Sequence, residues 1–150
     1  MRAKTQVLVG SQEMAIWKQV ASVLQSRGLT VTHFQSLKQA CRALRREDVL
    51  VVFCESQLID GTYEDLLKAA GKAPSRTRIV VTSPKSDGAD QGTYLKAKEL
   101  GAFDVLRQGY GPKDIEWVVI CALRDEEAMR AAAAWRNNLT NLYAHGSLAS

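Results

Sequence analysis

The sequence contains little of what builds metal centres and disulfide scaffolds. Its 150 residues include three cysteines and two histidines. Cys41, Cys54 and Cys121 are odd in number and each lies in an apolar stretch, so we expect buried free thiols rather than disulfides. His33 and His145 are far apart in the sequence, which leaves no plausible zinc constellation. We therefore expect no bound metal and no cofactor.

Long apolar runs are also absent from the sequence. No run approaches the roughly 20 residues that a membrane helix requires. The N-terminal segment MRAK leads directly into a short strand pattern rather than into an apolar leader. Hydrophobic residues make up 46% and charged residues 24% of the chain, which is ordinary for a globular protein. We therefore expect a cytoplasmic protein with a core of its own and no membrane association.

The net charge of +4 is unevenly distributed along the chain. Residues 1–50 hold eight Lys and Arg against three Asp and Glu, whereas residues 51–150 hold twelve against thirteen. A basic face of this kind can meet an acidic partner or a phosphate backbone. The cations are nevertheless scattered over helices and turns, without aromatic interleaving or a DNA-reading motif. We expect a solvated surface and no nucleic-acid partner.

Short apolar runs alternate with helix-spaced segments along the chain. The third run, VLVVFC at 49–54, is the most hydrophobic, and its lack of alternation predicts a strand covered on both faces. Five such strand–helix repeats predict an α/β fold, a doubly wound parallel sheet with helices on both faces. The predicted strands are 7–9, 29–34, 49–54, 78–82 and 103–106, and the predicted helices are 13–27, 37–45, 63–72, 94–100 and a last one that begins at Pro112.

The helical spacing also predicts which side chains face the core. Apolar residues on one face of the first helix are expected to be buried, and both helical tryptophans are expected to pack in the core rather than to form a cofactor platform. These positions are Ile16, Val20, Val23 and Leu24 on the first helix, together with Trp17 and Trp117.

The last helix is predicted to continue well beyond its neighbours, to about Leu142. Beyond Arg124 its apolar residues recur in alternating steps of four and three, which is the spacing of a coiled-coil seam. These seam positions are Ala128, Ala132, Trp135, Leu139 and Leu142. We divide the chain into residues 1–124, one globular domain, and residues 125–150, a C-terminal helical extension and tail. The extension either forms a homodimer through the seam, folds back on its own domain, or is a linker.

Two stretches resemble the receiver domain of bacterial two-component response regulators, the chemotaxis-protein-like fold. Segment 55–67, ESQLIDGTYEDLL, is similar to the family's segment after strand three, where an Asp is followed by Leu-Pro-Asp-Gly. Segment 97–106, AKELGAFDVL, is similar to the family's Gly-Ala-Xaa-Asp-Tyr-Leu before its Lys-Pro. The resemblance covers about residues 5–124, the receiver-like domain, and implies a flavodoxin-like sheet of five strands in the order 2-1-3-4-5.

The resemblance also implies where a phosphoryl-transfer site lies. In the family, acidic residues after strand one hold Mg²⁺ and an Asp after strand three accepts the phosphoryl group. A Thr or Ser after strand four senses that group, and a Lys after strand five contacts it. The metal and the lysine neutralise charge on the phosphoryl oxygens, and the carboxylate is the nucleophile.

This sequence departs from that pattern at most of these positions. The acidic cluster corresponds to Ser11, Gln12 and Glu13, the acceptor to Glu55 and the lysine to Gln108, while Thr82 is retained. Neutral side chains weaken a Mg²⁺ site, and a glutamate carboxylate sits one methylene, about 1.5 Å, further out than an aspartate. We therefore expect a degenerate phosphoacceptor pocket, a pseudo-receiver, with no catalytic residue and no metal.

Two acidic residues near this pocket have alternative interpretations. Glu55 is either a built-in mimic of the phosphorylated state or a drifted residue hydrogen-bonded to Gln108 or Thr82. We favour the second, because the family's lysine is missing and its switch aromatic is replaced by Val105. We assign Asp60 to shaping the Asp-Gly turn rather than to accepting a phosphoryl group.

Together these observations predict a signalling protein that is not an enzyme. We expect a phosphorylation-independent receiver-like interaction module of a two-component phosphorelay, whose partner is a histidine kinase, an attached output domain or another signalling protein. An atypical receiver that is still phosphorylated is the first alternative. A flavodoxin-like nucleotide or flavin binder is the second, although GSQEMA at 10–15 is a poor phosphate loop because Glu13 repels phosphate.

Overall fold

A computed structural model describes residues 3–11, 14–73, 76–82, 90–107 and 109–149. Strands and helices alternate along the chain, as the apolar pattern predicts. The strands are β1 (Gln6–Gly10), β2 (Thr30–His33), β3 (Val49–Glu55), β4 (Gln57–Leu58), β5 (Gly61–Thr62), β6 (Arg78–Thr82) and β7 (Asp104–Leu106). The helices are α1 (Met14–Ser26), α2 (Leu37–Ala43), α3 (Tyr63–Lys72), α4 (Asp90–Glu99) and α5 (Pro112–Ala149).

The main sheet has five parallel strands in the order β2-β1-β3-β6-β7. Counting only these five, the order is 2-1-3-4-5, so the predicted sheet and its strand order are confirmed. The short strands β4 and β5 form a separate antiparallel hairpin in which Gln57 pairs with Thr62 and Leu58 with Gly61. This hairpin lies between β3 and α3, in the segment that resembles the receiver family most closely.

The core consists of two apolar layers, one on each face of the sheet. Six of the seven residues of β3 are buried, as its unbroken apolar run predicts for a central parallel strand. On one face the strands pack against α1 and α5, where Trp17 meets Phe53 edge-on with ring centroids 4.8 Å apart. On the other face they pack against α2, α3 and α4.

Some predicted core positions are wrong, because helical spacing does not fix the exact azimuth of a helix. Val23 is 37% exposed, since the buried stripe of α1 passes through Trp17, Val20 and Leu24 instead. Trp117 is 58% exposed because α5 turns its opposite side to the sheet. The prediction for Trp17 is confirmed.

The cysteines are free thiols, but they are not all buried. Cys54 is buried, whereas Cys41 and Cys121 are partly exposed. Burial raises the pKa of the Cys54 thiol to about 12, with smaller contributions from the charges of Glu55 and Cys41. Cys54 is therefore protonated and unreactive at neutral pH, whereas Cys121 lies at the partly exposed side of α5.

Helix α5 is 38 residues long, about 57 Å at 1.5 Å per residue, and extends past the predicted end at Leu142. It does not fold back on the domain, because it runs without a break through Ala149. The division at residue 124 stays a prediction, since this one helix spans it. Within the described ranges no helix is both long enough and apolar enough to cross a membrane.

Arg78, the first residue of β6, attaches α5 to the N-terminal end of the sheet. Its side chain is 4% exposed, and its nitrogens lie 2.9 Å from Asp125 Oδ2 and 3.0 Å from Glu126 Oε2. The guanidinium also donates to the Leu50 carbonyl and to Met129 Sδ, both at 3.4 Å. These contacts hold α5 against the domain as far as Met129, two turns beyond the last fully buried residue of the helix.

Replacing Arg78 by leucine is expected to lower the free energy of unfolding by about 3 kcal/mol, because the Glu126 carboxylate, 12% exposed, would keep only its longer ion pair with Arg130 at 3.4 Å. The control is Arg46→Leu, which removes a more exposed pair with Asp48 and is expected to cost at most about 1 kcal/mol. Urea unfolding of both variants measures the difference. Equal losses would show that Arg78 contributes no more than a surface charge.

Candidate functional site

The carboxyl ends of the parallel strands bring the predicted pocket residues together. Gly10 pairs with Cys54 across β1 and β3, so Ser11 and Glu55 follow these partners at the same edge. Glu55 itself pairs with Thr82 across β3 and β6. The sheet therefore brings Ser11, Glu55 and Thr82 to neighbouring strand ends. Gln12, Glu13 and Gln108 lie outside the described residues.

Thr82 is a polar residue with a buried side-chain hydroxyl at the end of β6. It is 1% exposed, and its Oγ1 atom has no hydrogen-bond partner in the described part of the chain. Of the two alternative partners predicted for Glu55, the Thr82 hydroxyl is therefore not bonded to it, and Gln108 lies outside the described residues. A hydroxyl that is buried without a partner costs stability, and such groups in native folds call for an explanation. Here the hydroxyl lies one strand away from the half-buried Glu55.

The strand-end residues that the structure describes include few ligands for a magnesium ion. Mg²⁺ favours carboxylate oxygens in octahedral geometry, but the described strand-end residues supply one carboxylate, from Glu55, beside the Ser11 hydroxyl. No group of three or more His, Cys, Asp and Glu side chains in the described ranges is arranged to hold a metal ion. Among the described strand-end residues, Glu55 and Ser11 alone do not make up the carboxylate-rich ligand set that Mg²⁺ favours.

The loop after β3 is fastened to the start of α2 by Asp60. Its Oδ1 accepts the backbone N–H of Leu37 at 2.6 Å and its Oδ2 that of Lys38 at 3.1 Å. The hydrogen bond from Leu37 is the main reason that the pKa of Asp60 lies below its usual value. A carboxylate at a helix N-terminus is favourable because it satisfies free amides there. Asp60 therefore connects the β4–β5 turn, in which it lies, to the start of α2.

Two glycines at the pocket edge allow close side-chain packing. A Cβ atom added to Gly10 would lie 2.4 Å from the Phe34 ring, and one added to Gly61 would lie 2.5 Å from Leu37 Cδ2. Phe34 thus covers the end of β1 on the α2 side. Leu37 covers the hairpin turn, next to the Asp60 contacts.

The loop before α5 departs from the receiver pattern in its backbone as well as in its sequence. Gly109 stands where the family has proline, and its φ is +86°. A proline ring fixes φ near −65°, so proline could not occupy this conformation. The neighbouring Arg107 places its guanidinium 4.8 Å from the centroid of the Tyr94 ring, a cation–π contact with α4.

Sequence reasoning missed three of these contacts. The partner of Asp60 is 23 residues away in the chain, and no local pattern reports such a pairing. The Phe34–Gly10 and Arg107–Tyr94 contacts likewise join separate elements. The one available signal is Gly10 at the end of β1, because a glycine in a strand often marks a site where another group approaches the backbone closely.

Solved structures of receiver domains share this architecture. The CheY-like response regulator receiver domain protein from Methanospirillum hungatei JF-1 has a TM-score of 0.68 at 16% identity, over 85% of this chain and 99% of its own. The response regulator receiver domain protein from Clostridium thermocellum has a TM-score of 0.69 at 18% identity, over 83% and 98%. This chain has the receiver fold.

A longer protein shows the same likeness over one part of its length. NtrX from Brucella abortus has a TM-score of 0.71 at 20% identity, and the match covers 89% of this chain but 30% of NtrX. At these identities the likeness establishes the receiver fold and not an activity. Neither a family model nor a curated protein matches the sequence.

The lowered pKa of Asp60 predicts a pH-dependent contribution to stability. Because the folded-state pKa lies below the unfolded value of about 3.9, the contribution is complete above that pH and is lost as the pH falls through the folded-state pKa. Asp60→Ala is therefore expected to unfold at lower urea than the parent at neutral pH, with the gap closing in acid. Glu99→Ala, exposed on α4, is the control. A gap that stays constant down to acid pH would contradict this role of the Asp60 carboxylate.

Proposed function

We propose that this chain is a phosphorylation-independent receiver-like interaction module of a two-component phosphorelay and that it is not an enzyme. The observation that carries the proposal is the set of side chains at the strand ends, where a serine and a glutamate stand in place of aspartates. By the sequence resemblance these residues correspond to positions at which the family carries out phosphoryl transfer. The chemistry that they can supply is different.

The position of the Glu55 carboxylate argues against phosphoryl acceptance. The extra methylene of glutamate moves the carboxylate about 1.5 Å further from the backbone than in aspartate. In-line attack requires the reacting atoms to lie about 3–3.5 Å apart with aligned orbitals, so a shift of this size disturbs the geometry. The strand-end donors also lack the charge that would stabilise the transferred group, since glutamine at 108 replaces the family's lysine. Removing one such stabiliser costs about 3–4 kcal/mol of barrier, so losing several leaves little rate.

The receiver switch is altered in the same way. Val105 stands at the position of the family's rotating aromatic and is 7% exposed, so it has no large ring to move between the core and the surface. Gly109 gives the loop before α5 a backbone path that the family's proline cannot follow. A regulated output through this face would therefore depend on a bound partner rather than on a phosphoryl group.

Thr82 supports a second candidate function, an atypical receiver that still accepts a phosphoryl group. Its buried hydroxyl is without a hydrogen bond and stands beside Glu55, as a sensor of a phosphoryl group would. We rank this function second because a residue that senses a phosphoryl group does not by itself form the acyl phosphate. In the family that step uses the metal, the lysine and the aspartate. The two candidates differ in whether the pocket responds to Mg²⁺ together with a phosphoryl analogue.

A titration with Mg²⁺ and beryllofluoride is expected to produce no saturable change in Trp17 fluorescence or in the amide shifts near Glu55. The positive control is the variant Ser11→Asp, Gln12→Asp, Glu55→Asp, Gln108→Lys, which restores the charged side chains of the family and is expected to gain a Mg²⁺-dependent response. A saturable response of the parent chain, or an acyl phosphate on it by mass spectrometry, would establish the second candidate instead.

The partners we propose are a histidine kinase, an attached output domain or another signalling protein, and a second copy of this chain. The surface of α4 and α5 exposes Leu95 and Trp117 by 56% and 58%, which suits protein contact. Beyond Met129 the seam of α5 is largely uncovered, with Trp135 64% and Leu142 68% exposed. A helix with this much exposed apolar surface is better accounted for by pairing than as a free arm.

Placing a charge in the seam is expected to separate the proposed pairs. Trp135→Glu should convert the full-length protein from a dimer to a monomer in light scattering, because the carboxylate would be buried without a partner. Asn137→Glu is the matched control, since this residue is also exposed on α5 but lies two positions away, off the seam. If the parent chain is a monomer, the pairing is wrong, and if both variants stay dimeric, the seam does not form the interface.

A further inference from the structure

The C-terminal half of α5 is unusual in carrying almost no charge. Within residues 131–149 the one Lys, Arg, Asp or Glu is Arg136. Trp135, Leu142 and Tyr143 are nevertheless 64%, 68% and 77% exposed. Two copies of such a stretch can approach without mutual repulsion, whereas a strongly charged partner would find nothing to pair with. A second copy of this chain is therefore the occupant that suits this surface.

The seam can be assigned to two heptad positions. Cys121, Ala128, Trp135 and Leu142 are spaced by seven and occupy one position, called d, while Ala132 and Leu139 occupy the other, called a. The preceding a position is Asp125, which pairs with Arg78. The seam therefore becomes free of the domain just beyond the Arg78 contacts.

Large and small residues divide the seam into two halves. The N-terminal half carries Ala128 and Ala132, and the C-terminal half carries Trp135, Leu139 and Leu142. In a parallel pair each residue faces its own copy, which stacks two alanine layers and then opposes tryptophan to tryptophan. The alanine layers leave gaps and the tryptophan layer is overfilled, and both faults cost stability.

In an antiparallel pair the two halves complement each other. Each a residue then faces a d residue of the other copy, so Ala132 meets Trp135 and Ala128 meets Leu139. Two-fold symmetry repeats both contacts, so that four consecutive layers each combine a small residue with a large one. Alternating large and small residues across facing positions is how helices fill the space between them.

We infer that a second copy of this chain covers α5 in an antiparallel arrangement centred between Ala132 and Trp135. This inference rests on the pairing of α5 proposed above and adds its direction and register. In this register the four layers end at Ala128, the seam position next to Asp125, which pairs with Arg78 of its own domain.

Disulfide cross-linking of full-length protein tests the direction of the pair. Both test proteins carry Cys41→Ser and Cys121→Ser and keep the buried Cys54. One of them also carries Ala128→Cys, and the other also carries Leu139→Cys. A disulfide requires Cβ atoms about 4 Å apart. The two proteins are oxidised with copper phenanthroline, separately and as a mixture. If the pair is antiparallel, the mixture is expected to form roughly tenfold more disulfide dimer than either protein alone, because the two thiols face each other only in a dimer that contains one copy of each protein.

The control mixture combines Ala128→Cys with Asn137→Cys, which lies off the seam, and is expected not to cross-link. Cross-linking of Ala128→Cys alone, at the level of the mixture, would overturn the antiparallel direction while leaving the pairing in place. A dimer in light scattering that no thiol pair cross-links would also overturn the register. A monomer in light scattering would overturn the pairing itself. The proposal for the strand-end pocket would be unaffected by that result, because the Mg²⁺ titration tests it separately.

Discussion

The pairing of β3 with β1 on one side and β6 on the other is the interaction on which the rest of the structure depends. The buried apolar residues of β3 can be satisfied only when helices cover both faces of the sheet. The same parallel pairing brings Glu55 and Thr82 into register at the carboxyl edge. The core and the juxtaposition of Glu55 with Thr82 are thus two results of one strand arrangement.

Strand β6 connects the two regions to which we assign function. Thr82 stands at its carboxyl end, beside Glu55, and Arg78 stands at its amino end, where it holds α5. Both residues belong to one short, fully buried strand. A buried arginine with two carboxylate partners holds α5 at a defined position relative to the sheet.

The parts of the fold that depend on local patterns could be predicted from the sequence. The unbroken apolar run of β3 and the bounds of α3 and β6 followed from residue type and spacing, and the strand order followed from the family resemblance. Contacts between distant segments could not be predicted. Asp60 gives no local sign of its bond to Leu37, and spacing alone could not say that Trp117 faces solvent. For the candidate site, residue types predicted the neighbours Ser11, Glu55 and Thr82, but not that the Thr82 hydroxyl lacks a hydrogen bond.

The Arg78 contacts also fix the rotational setting of the extension about its own axis. Each residue of an α-helix turns about 100°, so one residue inserted between Ala122 and Asp125 would swing the whole C-terminal half by that angle relative to the domain. The carboxylates of Asp125 and Glu126 would leave Arg78, and the apolar stripe would point in a new direction. An insertion of seven residues would bring the stripe back to within about 20° of its original direction. Whole heptads therefore preserve the direction of the apolar stripe, although they move Asp125 and Glu126 about 10.5 Å along the helix axis away from Arg78, whereas a single inserted residue also changes the direction.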